Sequence, residues 1–247
     1  MIIFTTNINA YDIIPDHYYD PSVKYYMFYD KEIEQKGPWE FIKLESVQKC
    51  PVIEKYDSPV LNSYQLRTMS HWLFSEPHVW IDGCYTMTEQ FVKNSKEFLD
   101  TNEITLMHHP AKRTFLQELM KLYRCGFVPE ERLYKFCRQV AATKMPMSFF
   151  DHTINCVIWR NYTPHVIDWN EQYWHWYLDY ELYHGCQLTS ALAEWMIYQE
   201  RLPRVPPQVD LDKSTRSKHW KESYDFITNN DERNFMHNIR RILKAAL

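Results

Sequence analysis

One strand and the dipeptide that ends it constrain the fold of this chain most. The β-branched and aromatic run His78-Val79-Trp80-Ile81 is followed directly by Asp82-Gly83, which contains one of only four glycines. In open α/β sheets, such a strand delivers an acidic side chain to the ligand crevice at the carboxyl edge of the sheet. Asp-Gly is also the commonest dipeptide of tight hairpin turns. The pair therefore predicts either a ligand-binding carboxylate or a simple turn.

Short β-rich runs along the chain alternate with segments that can supply helices. The runs are Ile2 to Thr5, Lys24 to Tyr29, Trp39 to Leu44, Val79 to Asp82, Ile104 to Met107 and Ile154 to Trp159. This alternation is typical of an α/β protein with a mostly parallel central sheet flanked by helices.

Helical spacing is clear in three segments, where apolar residues recur every three or four positions. These segments are Phe115 to Tyr123, Leu133 to Ala141 and Leu188 to Trp195. Pro129 precedes the second segment and Gly126 follows the first, as expected for helix start and stop signals. The three segments therefore predict three helices.

The last 45 residues differ in composition from the rest. Pro203 to Pro207 predicts an extended connector, and Asp231 to Ala246 predicts a terminal helix. From Lys213 to Leu247 there are eight basic and four acidic residues, whereas the whole chain has a net charge of −4. We expect a catalytic domain over 1–202, with residues 203–247 as a connector and basic helical tail packed on that same domain. The tail could contact an anion or form a solvated helix whose cations suit the helix dipole.

Several classes of protein are disfavoured by motifs that the sequence lacks. Four glycines cannot form a P-loop or a G-x-G-x-x-G fingerprint, and the six cysteines form no C-x-x-C pair. The first residues lack a basic region, and no apolar stretch approaches the roughly 20 residues that cross a bilayer. We therefore expect a cytoplasmic protein with reduced thiols and no membrane partner.

Short motifs follow one another between Ile2 and Tyr198. They are Asn9-Ala10-Tyr11-Asp12, Phe28-Tyr29-Asp30, Trp80-Ile81-Asp82-Gly83, His109-Pro110-Ala111-Lys112 with Glu118, a segment with Gln139 and Met145-Pro146, a strand from Ile154 to Arg160, and Trp169 to Trp176 before Gln187-Leu188-Thr189-Ser190. In this order they resemble the GT-A-like glycosyltransferases once described only as a domain of unknown function in bacteria, plants and viruses. Each motif alone is weak, and the ordered set carries the resemblance.

The resemblance implies a GT-A-like, Rossmann-like fold and the transfer of a sugar from a nucleotide-sugar donor to a hydroxyl acceptor. Negative charge builds on the departing diphosphate in such a reaction, and Mn²⁺ or Mg²⁺ can meet it. Asp82 is the predicted metal ligand. A second ligand could be Asp30, Glu118 or a histidine, or cationic side chains could replace the metal. The candidate cations are Lys112, Arg113 and Arg67.

The same resemblance suggests which residues contact the substrates. The candidate donor-binding residues are Asp82, Gly83, Asp30, Arg67, His109, Lys112 and Gln187. The candidate catalytic residues are Asp179, Glu181 and Glu118, since a carboxylate near the anomeric carbon would remove the acceptor's proton. The alternative for each of these three is a solvated or salt-bridging residue of a helix. The nearby aromatic residues from Trp169 to Tyr180 have the spacing of a core helix more than of a stacking site.

Three positions depart from the family pattern. Asn9 replaces a glycine, Cys84 follows Asp82-Gly83 where a polar residue is frequent, and Cys186 replaces the aspartate of D-Q-L-S. The residues that could take over the role of that aspartate are Asp179, Glu181 and His184. The acceptor is expected to be a glycan or a hydroxymethylated base in phage DNA. The alternative is a non-catalytic binding module on a degraded transferase scaffold.

Overall fold

The computed structural model describes residues 1–48, 53–109, 113–151, 153–182, 185–206, 211–213 and 230–244. The strands, in chain order, are β1 Ile2–Asn7, β2 Lys24–Tyr29, β3 Glu40–Lys43, β4 His78–Ile81, β5 Tyr85–Met87, β6 Ile104–His108, β7 Thr153–Arg160, β8 Arg204–Val205 and β9 Leu211–Lys213. The helices are α1 Leu44–Val47, α2 Pro59–Thr68, α3 Glu89–Thr101, α4 Phe115–Arg124, α5 Glu130–Ala142, α6 Pro164–Tyr180, α7 Cys186–Tyr198 and α8 Asn230–Lys244.

Seven strands form the central sheet in the order β3-β2-β1-β4-β7-β6-β8, while β5 and β9 pair separately. Strands β3, β2, β1 and β4 run parallel to one another, and β8 is parallel to β6. The α/β class with a mostly parallel sheet is therefore confirmed. All six predicted β-rich runs form strands of this sheet.

Strand β7 is the exception to the parallel arrangement. It runs antiparallel to β4 and to β6, with Ile81 opposite Val157. Its beginning, near Asn155, therefore lies at the same edge of the sheet as the ends of β1, β4 and β6. This reversal brings residues from both directions of the chain to one edge.

The two faces of the sheet are covered by separate apolar clusters. One contains the buried side chains of α4 to α7, and the other contains Val79, Phe91 of α3 and Trp159. Trp159 is fully buried, and its indole Nε1 donates to Ser95 Oγ at 2.8 Å. The aromatic residues of α6, from Trp169 to Tyr180, are buried, so the prediction that they form core is confirmed.

Local sequence signals start four of the helices. Ser58, Thr88, Thr114 and Thr163 each accept a hydrogen bond from a backbone N–H of the first turn. Thr114 forms a reciprocal capping box with Gln117. Such caps satisfy backbone donors that have no partner inside the helix. The three helices predicted from apolar spacing are α4, α5 and α7.

The chain after residue 202 continues to contact this body. Strand β8 pairs with β6, and Arg204 Nη2 lies 2.5 Å from Glu194 Oε2 in a buried ion pair. Helix α8 packs on α4 and α5, with the ring of Phe235 stacked 4.1 Å from that of Tyr123. The predicted terminal helix is thus present over Asn230–Lys244. In the described ranges, no helix is both long and apolar enough to cross a membrane.

Candidate functional site

A cavity of about 320 Å³ lies at the edge of the sheet where β1, β4 and β6 end. This is the edge at which open α/β sheets bind ligands. Its walls come from β1 and the turn after it, from α2, from the end of β4, from the start of β7 and from the start of α7. The polar and charged side chains in the walls are those of Thr6, Tyr11, Asp12, Ser63, Tyr64, Arg67, Asp82, Tyr85, His109, Lys121, Asn155 and Gln187.

Asp82 occupies this cavity directly after β4. Its backbone N–H donates to the carbonyl of Cys156 at 2.8 Å, and the indole Nε1 of Trp80 donates to its Oδ1 at 2.9 Å. The carbonyl of Asp82 also accepts from the N–H of Tyr85 at 3.1 Å, which closes a tight turn over Asp82-Gly83. The dipeptide therefore forms a turn and also places a carboxylate in a cavity.

Asp12 reaches the same cavity from the turn after β1. The side-chain amide of Asn7 accepts from the Asp12 N–H at 3.0 Å and donates to its carbonyl at 2.9 Å. Asn9 and Ala10 between them have φ of 63° and 51°, in the left-handed region that favours glycine. Asparagine tolerates this conformation better than most residues, which explains how Asn9 can stand where the family has glycine.

The carboxylates of Asp12 and Asp82 influence each other. A Cβ on Gly83 would lie 2.8 Å from Asp12 Oδ2, so the absence of a side chain at Gly83 makes room for the Asp12 carboxylate. Burial and the charge of Asp82 raise the pKa of Asp12 to about 6. Two close carboxylates are suitable ligands for a hard divalent cation. No group of three or more His, Cys, Asp or Glu side chains within the described ranges could hold a metal, so water or substrate oxygens would have to complete its coordination.

Arg67 of α2 supplies positive charge to the cavity. Its side chain is buried, with a relative exposure of only 4% for the residue. Its Nη2 donates to Tyr173 Oη at 3.1 Å, and its Cζ lies 3.7 Å from the ring centroid of Tyr64. Its Nε makes no hydrogen bond with any residue that the structure describes. A buried guanidinium with a free N–H and no carboxylate bonded to it is suited to bind an anion.

A second buried arginine holds this part of α2 in place. Arg160 Nη1 donates to the carbonyl of Arg67 at 2.6 Å and to Ser70 Oγ at 2.5 Å. Burial lowers the pKa of Arg160 to about 9. Arg160 does not line the cavity, so it fixes the backbone of Arg67 and does not itself face a ligand.

The start of α7 forms another part of the cavity wall. Asn155 Nδ2 donates to the carbonyl of Cys186 at 3.2 Å and thereby ties β7 to α7. The Cys186 thiol donates to Gln187 Oε1 at 3.3 Å, and both residues line the cavity. The cysteine that replaces the family's aspartate therefore lies in the cavity wall.

Glu118 does not line the cavity, although sequence motifs made it a candidate metal ligand and catalytic residue. Its side chain is fully buried between two cations, with Oε2 at 3.1 Å from Arg113 Nη1 and Oε1 at 3.2 Å from Lys121 Nζ. Lys121 does line the cavity, so Glu118 positions a cation that faces it. Lys112 lies outside the described residues.

Asp179, Glu181 and Asp30 also lie away from the cavity walls. Asp179 Oδ2 is 3.5 Å from His175 Nε2 one turn earlier on α6, and Glu181 forms an ion pair with Arg132. Asp30 Oδ1 accepts from the N–H of Asn9 at 2.6 Å and so supports the turn that carries Asp12. The geometry thus gives no support to a catalytic role for Asp179 or Glu181. His184 lies outside the described residues.

Of the predicted donor-binding residues, the structure brings five together in the cavity: Asp82, Gly83, Arg67, His109 and Gln187. Sequence reasoning assigned no role to Asp12, which lies in the turn five residues after the end of β1, and its place in the Asn9-Ala10-Tyr11-Asp12 motif was the signal that could have identified it. Tyr64 and Asn155 had no such signal. Their positions depend on the packing of α2 and on the antiparallel direction of β7.

No protein-family model and no curated protein matches this chain. Among the solved structures that are similar to it in fold are a xylosyltransferase and a galactosyltransferase. Mouse xyloside xylosyltransferase 1 in its apo form is 10% identical with a TM-score of 0.40, and 83% of each chain is covered. The galactosyltransferase LgtC in complex with donor and acceptor sugar analogues is 11% identical with a TM-score of 0.44, and 100% of each chain is covered. At these scores we draw no conclusion about function from either likeness.

Proposed function

We propose that this protein is a glycosyltransferase that moves a sugar from a nucleotide-sugar donor to a hydroxyl acceptor. The observation that carries this proposal is that Asp12, which lies against Gly83, and Asp82 line one cavity together with the buried Arg67. Two carboxylates and one buried cation in a single cavity match a ligand that carries a metal-bound diphosphate.

Asp12 and Asp82 are the residues that would hold a divalent metal, either Mn²⁺ or Mg²⁺. Their oxygen ligands and the raised pKa of Asp12 fit such an ion, because a cation relieves the repulsion between the two carboxylates. When bound, the ion would neutralise charge on the diphosphate as the anomeric bond breaks.

The chain's own cations act on the same charge. Arg67 lines the cavity, and its guanidinium charge can attract phosphate oxygens there while its Nη2 keeps the hydrogen bond to Tyr173. Lys121, held by Glu118, and His109 line the cavity as further donors. Because these groups are fixed before the donor binds, they stabilise the developing charge without having to reorganise.

Tyr11 is suited to contact the nucleobase of the donor. It lines the cavity next to Asp12, and 48% of the residue is exposed. An exposed aromatic ring beside a phosphate-binding cavity can stack on any nucleobase, because every base has a π-face. Gln187 also lines the cavity and can hydrogen-bond to hydroxyls of the sugar.

Donor binding with and without metal tests the proposal. We expect UDP- or GDP-sugars with Mn²⁺ to raise the melting temperature, because a ligand that binds only the folded state stabilises it. Asp82→Asn should abolish the metal-dependent part of this shift. Asp179→Asn is the matched control, since Asp179 lies outside the cavity walls, and it should respond like the wild type. An equal response from Asp82→Asn and wild type would contradict the proposal.

A measurement of donor turnover distinguishes a transferase from the alternative, a non-catalytic binding module. The charged side chains of the cavity, Asp12, Asp82 and Arg67, favour the transferase. A transferase releases nucleoside diphosphate when donor and acceptor are both present. If DNA is the acceptor, activity should fall steeply with salt, since phosphate contacts release counterions. A glycan acceptor should give a nearly flat salt response. Donor binding without turnover on any glycan or hydroxymethylated DNA would favour the binding module.

A further inference from the structure

A second cavity, of about 390 Å³, lies apart from the one that contains Asp82. It is formed between α4, the end of α5 and the last turns of α8. Its walls include Leu116, Met145, Met147 and Leu243, and we refer to it as the apolar groove. Volumes of this size are typical of sites for small molecules.

Three cations line the apolar groove: Lys144, Arg240 and Lys244. All three are exposed, and no acidic side chain lines the groove with them. None of the three forms an ion pair with a carboxylate in the part of the chain that the structure describes. The groove therefore combines an apolar wall with positive charge that has no partner in the described chain.

Lys144 has a backbone conformation that is unfavourable for lysine. It follows the end of α5 with φ of 57°, in the left-handed region, and its N–H donates to the carbonyl of Ala141 at 3.0 Å. Glycine is the residue that best suits this position after a helix. Glycine at position 144 would thus give a more stable fold, whereas lysine adds a positive charge at the groove.

We propose that the apolar groove binds a single-chain amphiphilic anion, with its alkyl chain against the apolar wall and its carboxylate or phosphate head among the three cations. Burial of the chain removes apolar surface from water, and the head group meets charges of opposite sign. An inorganic anion would leave the apolar wall unused, and a neutral detergent would leave the cations unused. Both parts of the ligand are needed for tight binding.

Laurate, measured by calorimetry on the full chain below the concentration at which micelles form, tests this proposal. Acetate provides the head group alone, and dodecyl maltoside provides the same chain length with a neutral head. We expect laurate to bind, acetate not to bind measurably, and dodecyl maltoside to bind about tenfold more weakly. Equal affinity for laurate and the maltoside, or no binding of laurate, would overturn the proposal.

Charge variants show whether the groove is the site. Arg240→Gln with Lys244→Gln should weaken laurate binding about tenfold, the range for partly exposed charge-assisted contacts. Arg241→Gln is the matched control, because Arg241 is exposed on the same helix but does not line the groove. A loss of affinity in the control as large as in the double variant would overturn the assignment.

Lys144→Gly separates binding from folding. Because glycine suits the positive φ, this variant should melt at a higher temperature than the wild type while it binds laurate several-fold more weakly. Unchanged affinity in this variant would contradict the role of Lys144. If the protein sediments with phosphatidylglycerol vesicles but does not bind laurate, the groove is a membrane-contact surface. That result would overturn the proposal of a single-chain ligand.

Discussion

The acidic side of the main cavity, formed by Asp12 and Asp82, is built differently from its arginine side, where Arg67 lines the cavity and Arg160 supports Arg67 from outside the walls. Asp82 directly follows β4 and Asp12 lies in the turn after β1. Each has hydrogen-bond partners within five positions, Trp80 and Tyr85 for Asp82 and Asn7 for Asp12, although the Asp82 N–H also donates to the carbonyl of Cys156. The arginines are buried in the core and depend on partners about 90 or more positions away, such as Tyr173 for Arg67. Acidic groups at a sheet edge therefore arise from local sequence, whereas a buried cation requires the assembled tertiary structure.

The largest expected effect comes from removing the cation that faces the cavity. Arg67→Met should lower kcat/KM for sugar transfer by about 100-fold or more, the size expected when one fixed donor to developing charge is lost. Steady-state kinetics with the native donor would measure it. Activity within twofold of wild type would show that the arginine side serves the fold only.

Asp12→Asn tests the acidic side through stability. The pKa of Asp12 is raised by burial to about 6 in the folded protein, from an ordinary value of 3.8. The neutral carboxyl therefore favours the folded state below about pH 4, and this contribution is lost as the pH rises through 6. The variant should be more stable than wild type by about 2 kcal/mol at pH 7.5 and equally stable near pH 4.

Urea unfolding at the two pH values measures this difference. The same variant should lose the metal-dependent shift in melting temperature, so stability and binding should change in opposite directions. A variant that loses stability at pH 7.5 would show that Asp12 is a structural residue and not a strained ligand.

Gly83→Ala examines the space between the two carboxylates. The added Cβ would meet Asp12 Oδ2 at 2.8 Å and push that carboxylate away from its present position. We expect affinity for Mn²⁺ to fall about tenfold, with a change of less than about 1 kcal/mol in the free energy of unfolding. Calorimetric titration with Mn²⁺ checks the first value, and unchanged affinity would place the metal elsewhere.

The smallest expected effect concerns the turn that carries Asp12. Ala10 has φ of 51°, which costs a residue with a Cβ about 1 kcal/mol, although glycine loses more entropy on folding. Ala10→Gly should therefore stabilise the protein by about 0.5 kcal/mol and leave donor binding unchanged. A changed affinity for the donor would show that the backbone strain at Ala10 affects the cavity that contains Asp12.

Much of the fold could be predicted because apolar patterns are local. The six β-rich runs became strands, and three amphipathic segments became α4, α5 and α7. The antiparallel direction of β7 could not be predicted in this way, because the apolar pattern of a buried strand is the same whether it runs parallel or antiparallel to its neighbours. It is the reason that Asn155 and Cys156 reach the cavity.

The candidate site was predicted in part for the same reason. Asp82 and His109 follow strand ends, and both line the cavity. Proximity in sequence to Gln187 made Asp179 and Glu181 candidates, but helical geometry pairs them with His175 and Arg132 instead. Asp179 is on α6, Glu181 follows the end of that helix and Gln187 is on α7, so the chain turns between them and closeness in sequence does not place them at one site.

The sequence by itself determined the α/β class, six of the nine described strands and the carboxylate at the end of β4, because hydrophobic periodicity and strand ends depend on neighbouring residues. Only the tertiary structure decided that Asp12 and Asp82 share a cavity with Arg67. Burial raises the pKa of Asp12 and leaves Arg67 Nε without a partner among the described residues. Both effects depend on how distant segments exclude water, and no local pattern contains that information.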